Sequence, residues 1–129
     1  MHQITFEQQQ LLQQNLLAEF TQLKEKVKVR LTASSKQYLN DLVKDVDTMN
    51  ADALIDSLVH SESHSLNLYK TQIQSIDAAL QGIELGLYGL CSDCEVEIEV
   101  EELFECPTKQ RCTACEIKYQ QQKVKGYKL

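Results

Sequence analysis

The residues best suited to chemistry are four cysteines at paired spacing: Cys91-Ser-Asp-Cys94, seventeen intervening residues, then Cys112-Thr-Ala-Cys115. Two residues between paired cysteines let each pair grip one tetrahedral ion through a tight knuckle. The longer excursion is enough for a short hairpin that brings the second pair back to the first. Four thiolates close the tetrahedron and leave no position open for water, so the spacing implies one structural Zn2+ rather than a catalytic ion. The competing reading of two C-x-x-C pairs is a disulfide switch. Because roughly 35 residues can bury little core, metal-binding free energy here is folding free energy. Four thiolates and a divalent cation add a net −2 to the chain's formal charge of −6, giving −8. The fifth cysteine, Cys106, precedes Pro107 outside the ligand spacing. It reads as a small packed or partly exposed residue, with a sensing thiol beside the metal as the alternative.

No other constellation points to catalysis. His60-Ser-Glu-Ser-His64 places two histidines at i and i+4, but without the acid adjacent to the first that H-E-x-x-H requires. They read as a solvated or packed pair. There is no Ser/His/Asp set and no Gly-rich phosphate loop, so the expected protein is not an enzyme. The cysteine spacing also fits GATA-type DNA-binding fingers. Residues 93–105, however, carry Asp93, Glu95, Glu97, Glu99, Glu101, Glu102 and Glu105 with no basic residue, so phosphate repulsion opposes direct sequence-specific DNA binding.

The segments before the cysteines read as helix. Thr5 and Gln8 have the spacing of a capping box, followed by apolar residues at Leu12, Leu16, Phe20, Leu23 and Val27. Thr32-Ala-Ser-Ser35 interrupts this face, and a further stretch carries Tyr38, Leu39, Leu42, Val43 and Val46. This is expected to be a first arm over 6–46, about 60 Å long, kinked near 32–35. Turn-favouring residues at 47–52 then lead into a heptad seam: Ile55, Val59, Glu62, Leu66, Tyr69, Ile73, Ile76, Leu80, Ile83, Leu87. Two arms of comparable length joined by a short turn imply an antiparallel helical hairpin. The alternative is a compact three-helix bundle folded at Ser34-Ser35. Gly86 and Gly89 end the second arm. Val96, Ile98 and Val100, alternating with glutamates, predict a short strand between the knuckles, and a helix is expected from Thr113 to about Lys123.

The expected fold is therefore mostly α: a long antiparallel helical hairpin, or coiled coil, over residues 1–87 with its tip near 47–52. A small four-Cys zinc finger and a short C-terminal helix occupy 88–129. Composition agrees. The 129 residues are 43% hydrophobic and 6% aromatic with four Gly and one Pro, too few rings and turn formers for a β-sandwich or barrel. No apolar run approaches a membrane span, and MHQITFEQQQ lacks the basic start and apolar stretch of a signal peptide. A soluble cytoplasmic protein is expected. Charge is uneven: residues 24–36 carry a net +4 and residues 37–66 a net −5, placing an acidic turn on a more basic shaft.

Hairpin, acidic turn and four-Cys finger together resemble the DksA/TraR family of bacterial RNA polymerase-binding regulators. The carrying residues are Ile76-Asp-Ala-Ala-Leu80, Ile83-Glu-Leu-Gly86, Tyr88-Gly-Leu-Cys91, Cys94, Ile98, Leu103, Pro107-Thr108, Cys112 and Cys115. The match is strong over 73–118, weaker over 38–72, and no more than helical composition over 1–37. The resemblance implies a monomeric coiled-coil probe that enters the secondary channel of RNA polymerase, its tip near the catalytic centre and its zinc finger holding the base. It also implies destabilised open promoter complexes, with ppGpp as the co-effector.

The sequence departs from that pattern at the tip. The family's Asp-x-x-Asp-x-Ala falls on Thr48, Ala51 and Ala53, so only the alanine matches, while Asp47 and Asp52 each stand one residue away. One residue turns a helical side chain by about 100°. The candidate partner-binding residues are Asp45, Asp47, Asp52 and Ala53. Glu95 stands where the family has Gly after the second cysteine, and Glu102 where a basic residue precedes Leu103. The alternative function is a zinc-stabilised coiled-coil interaction adaptor without a polymerase role.

Overall fold

In the computed structural model, residues 4–59, 61 and 63–127 are described, with side chains to residue 123. The fold is mostly α, an antiparallel helical hairpin with a four-Cys finger and a C-terminal helix. The α-helices among the described residues are α1 (Phe6–Ala33), α2 (Gln37–Leu42), α3 (Ala51–Leu58), α4 (His64–Leu85), α5 (Val100–Glu105) and α6 (Thr113–Tyr127). A 3-10 turn, Val43–Thr48, follows α2. No described helix is long and apolar enough to cross a membrane. The chain forms two compact units, residues 14–78 and residues 4–13 with 79–127.

α1 starts at the capping box. The Gln8 amide donates to the Thr5 hydroxyl at 3.1 Å, and the Gln8 side-chain oxygen accepts from the Thr5 amide at 3.0 Å. Within residues 14–78 the seam of α1 is Leu16, Leu23, Val27 and Leu31, all buried. Its last carbonyls would be orphaned at Ala33, where the helix stops. Asn40 of α2 supplies the missing donors: its side-chain amide donates to Leu31 O at 2.7 Å and Ser34 O at 3.0 Å. The Ser34 hydroxyl accepts from the Lys36 amide, a local bond that competes with helix continuation.

These bonds reverse the chain. On a straight arm Lys28 and Asp47 would lie about 28 Å apart. Instead the Lys28 ammonium meets both Asp47 carboxylate oxygens at 3.0 and 3.1 Å, and the Lys24 ammonium donates to the Asp47 carbonyl at 3.3 Å. Residues 37–48 therefore return alongside α1, and the kink expected near 32–35 in a first arm of about 60 Å is corrected to a full fold-back at 34–36. Buried Leu39 and Val46 hold the return segment, because apolar burial outweighs an exposed ion pair of this kind.

The expected continuous second arm is also divided. Asn50 caps α3, its side-chain oxygen accepting from the Ala53 amide at 2.8 Å. Leu54 and Leu58 are the buried residues of α3, whereas Val59, one residue along, is 50% exposed. The seam thus sits one position from the expected Ile55 and Val59, since α3 ends before the heptad frame of α4 begins. The Ser61 hydroxyl accepts from the Ser63 amide, and the Ser63 hydroxyl from the Leu66 amide, which starts α4. From there the expected seam is followed by buried Leu66, Ile73 and Ile76. His60 and Glu62 lie outside the described residues.

α4 closes with a Schellman turn: Gly86 N–H donates to Ile83 O, Leu87 N–H to Gly82 O, and Gly86 takes φ +74°. Leu39→Ala is expected to lower stability by about 2–4 kcal/mol, while Tyr38→Ala, at an exposed neighbour, changes it by less than about 0.5 kcal/mol. Urea unfolding compares the two; equal small effects would mean that residues 37–48 do not pack.

Candidate metal centre

Around the cysteines, backbone bonds build the first knuckle. The Cys91 amide donates to Val96 O at 2.8 Å and the Glu95 amide to Cys91 O at 3.0 Å. The turn this requires places Glu95 at φ +64°, the one non-glycine residue in the left-handed region among the described residues. Gly89, at φ +86°, accepts from the Ile98 amide, and Leu90 forms a single antiparallel bridge with Glu97. The expected strand over 96–100 is corrected accordingly: one bridge forms, Ile98 alone of the three alternating residues is fully buried, and α5 begins at Val100. Glu101 and Glu102 in the first turn of α5 favour helix there through the helix dipole.

The second knuckle is carried by the return from α5. The Tyr88 hydroxyl, buried, donates to Pro107 O at 2.9 Å, and the Ser92 amide donates to Gln110 O at 2.7 Å, joining the two knuckles. The Glu116 amide donates to Cys112 O and starts α6, so Cys115 projects from its first turn. The Thr113 hydroxyl donates to Glu102 at 3.1 Å. Glu102, where the sequence departs from the resembled pattern, thus ties α5 to the start of α6.

Together these elements bring the Sγ atoms of Cys91, Cys94, Cys112 and Cys115 within 4.8 Å of one another. A tetrahedral ion with sulfur at about 2.3 Å has an edge of about 3.8 Å. Cys94 and Cys112 stand 3.8 Å apart. The four sulfurs can hold a metal ion, and their donor type suits a tetrahedral one. Cys91 is buried and Cys94 exposed, with Cys112 and Cys115 between. Cys106 is outside the cluster and exposed, its sulfur 3.5 Å from the Thr108 hydroxyl.

Electrostatics divides the ligands. Burial opposes ionisation of Cys91, but hydrogen bonds from the backbone of Cys112, Cys94 and Asp93 and from the Cys94 side chain outweigh it and bring the thiol down to about 6. At Cys94 a backbone hydrogen bond at Val96 favours the thiolate. Desolvation and the neighbouring thiols of Cys91 and Cys112 prevail, and the net direction is upward. The thiols of Cys112, Cys94 and Cys91, in that order, push Cys115 up to about 12. Without a cation to neutralise them, the four sulfurs cannot all ionise together.

Of the candidate partner-binding residues, Asp45 and Asp47 lie in the 3-10 turn, and Asp52 and Ala53 in the first turn of α3. All four are exposed. Asp47 is held by Lys28, whose own pKa is raised by Glu25 and Asp47. Sequence reasoning missed two structural roles. Arg111 pairs with Asp93 at 3.0 Å and lies 4.0 Å over the Tyr119 ring. Asn40 closes α1, and its polarity inside an apolar stretch was the available signal.

The fold is similar to that of the transcription factor DksA2 from Pseudomonas aeruginosa, with a TM-score of 0.57 over 93% of this chain and 87% of that one, at 21% identity. No family model matches the sequence, and no curated protein matches it. The likeness is one of fold, and the four clustered cysteines could hold a metal ion.

Glu95→Gly should raise stability by about 1 kcal/mol, because glycine adopts positive φ without the Cβ penalty; a lower thermal midpoint would sink the strain assignment. Metal binding at pH 7 should release protons from Cys94 and Cys115, while Cys91 enters as thiolate. Apparent affinity should then rise at least about a hundredfold per pH unit across neutrality. Calorimetry in buffers of different ionisation enthalpy measures the release, and its absence would overturn the assigned thiol states.

Proposed function

We propose that this protein is a non-enzymatic transcription regulator that binds RNA polymerase as a monomer in the cytoplasm. The observation that carries the reading is an antiparallel helical hairpin and a four-Cys finger on one chain with the fold of a transcription factor, DksA2. The hairpin, residues 1–87, is the part that enters the polymerase secondary channel. Residues 88–129, finger and C-terminal helix, hold its base. The ion in the finger is one structural Zn2+, because four thiolates with no open position favour a tetrahedral, redox-inert cation. Within the channel, Asp45, Asp47, Asp52 and Ala53 face the polymerase. There the acids alter the field around basic side chains and the catalytic Mg2+, with ppGpp as co-effector. The acidic segment 93–105 argues against direct sequence-specific DNA reading.

One observation favours the second reading, a zinc-stabilised interaction adaptor without polymerase activity. Asp47 is engaged by Lys24 and Lys28 on the side of α1 rather than standing at the chain reversal. An adaptor needs no acid presented to a catalytic centre.

Binding of the zinc-loaded protein to RNA polymerase core, with and without a competitor that occupies the secondary channel, separates the two. Competitive binding is expected. No binding at about micromolar concentration, with zinc shown to be present, would leave the adaptor reading. Asp47→Asn with Asp52→Asn should keep binding and change transcription output; unchanged output where the wild type is active would remove these acids from the mechanism.

A further inference from the structure

α6 lacks the apolar face that normally fixes a helix. Of its residues up to Lys123, Cys115 and Glu116 are half-buried and the rest are exposed, Ile117 by 53%. Its first turn is held by the cysteine cluster and by the Thr113–Glu102 hydrogen bond. Beyond that turn, among the described residues, Arg111 reaches it from outside. Arg111, which immediately precedes Cys112, donates from Nε to Asp93 Oδ2 at 3.0 Å, and Asp93 lies between Cys91 and Cys94. The same guanidinium lies 4.0 Å over the ring of Tyr119 in the second turn of α6. Lys123 approaches that ring as well, at 5.8 Å.

We propose that Arg111 is a positioning residue that joins the two metal knuckles and carries their order into α6. Its planar guanidinium can make the ion pair along its edge and the ring contact through its face at once, which an ammonium cannot. Its positive charge also sits one residue from a ligand of a centre that carries net negative charge when four thiolates hold a divalent ion. Arg111 thereby makes the direction of α6 depend on an assembled metal centre. The inference does not rest on the polymerase reading.

The test uses the full zinc-loaded chain and follows two quantities: zinc transfer to a chromophoric chelator and amide exchange along α6. Arg111→Met should release zinc about tenfold faster, in the range for lost outer-sphere support, and lose protection from Tyr119 onward. The Co2+-substituted variant should keep the absorption of a tetrahedral thiolate site, which shows that the ligands still assemble. Arg111→Lys should recover zinc retention through the Asp93 pair but not the protection of α6. Tyr119→Phe should behave as wild type, because the ring is the contact, and Tyr119→Ala should lose α6 protection with Arg111 still in place. Should Arg111→Met fail to fold, the Lys and Tyr119 variants test the same coupling. Wild-type release and exchange in Arg111→Met would overturn the proposal. So would a Tyr119→Ala effect of undiminished size in the Arg111→Met background, since uncoupled residues act additively.

Discussion

Four sulfurs must converge on one point in a segment too short to fold around an apolar core, and much of residues 88–127 follows from that. Tyr88, Cys91, Ile98 and Leu103 are among the buried residues described there, and one of the four belongs to the cysteine cluster. The knuckle turn is sharp enough to hold Glu95 in a conformation that glycine adopts at less cost. The intervening chain cannot run on as a strand, because it must turn back within seventeen residues and bring Cys112 to Cys94. It does so as one bridge, a short helix and a return pinned by the Tyr88–Pro107 bond. Repulsion among four thiolates is what a bound cation would relieve, and the lowered Cys91 beside the raised Cys115 marks where that relief would fall.

Residues 14–78 depend on a different device. A helix end needs donors for its last carbonyls, and here the next helix provides them: Asn40 reaches back to Leu31 and Ser34. That capping turns what reads as an extension into a reversal, and it lays an acidic segment against a basic one. The net +4 and −5 stretches of the sequence are therefore partly an internal pairing, with Lys24 and Lys28 on Asp47. For the proposed function the consequence is direct. Asp45 and Asp52 keep free exposure on the return segment and on α3, while Asp47 spends part of its charge within the unit.

Departures from the resembled pattern are not all losses. Glu102 in place of a basic residue acquires a partner in Thr113 and helps seat α6. Glu95 in place of glycine acquires none that offsets its positive φ. The two substitutions lie seven residues apart and differ because one faces another element and the other faces a turn.

The sequence alone determined the four cysteines that come together, the helical class, the capping box at Thr5 and Gln8, the seam of α1, the terminator at Gly86 and the helix at Thr113. Each is a local matter of spacing, periodicity or backbone freedom, readable within a few residues. Only the tertiary structure decided that the chain turns back at 34–36, that α3 and α4 are separate with different registers, and that Val96 to Val100 forms no strand. It also gave Arg111 its place between Asp93 and Tyr119. The reversal and the finger rest on bonds between residues five or more apart in sequence, such as Asn40 to Leu31, Asp47 to Lys28 and Gln110 to Ser92, whereas the α3–α4 break rests on local bonds at Asn50, Ser61 and Ser63. A local pattern shows which groups need partners, and the folded chain alone determines which partners they find.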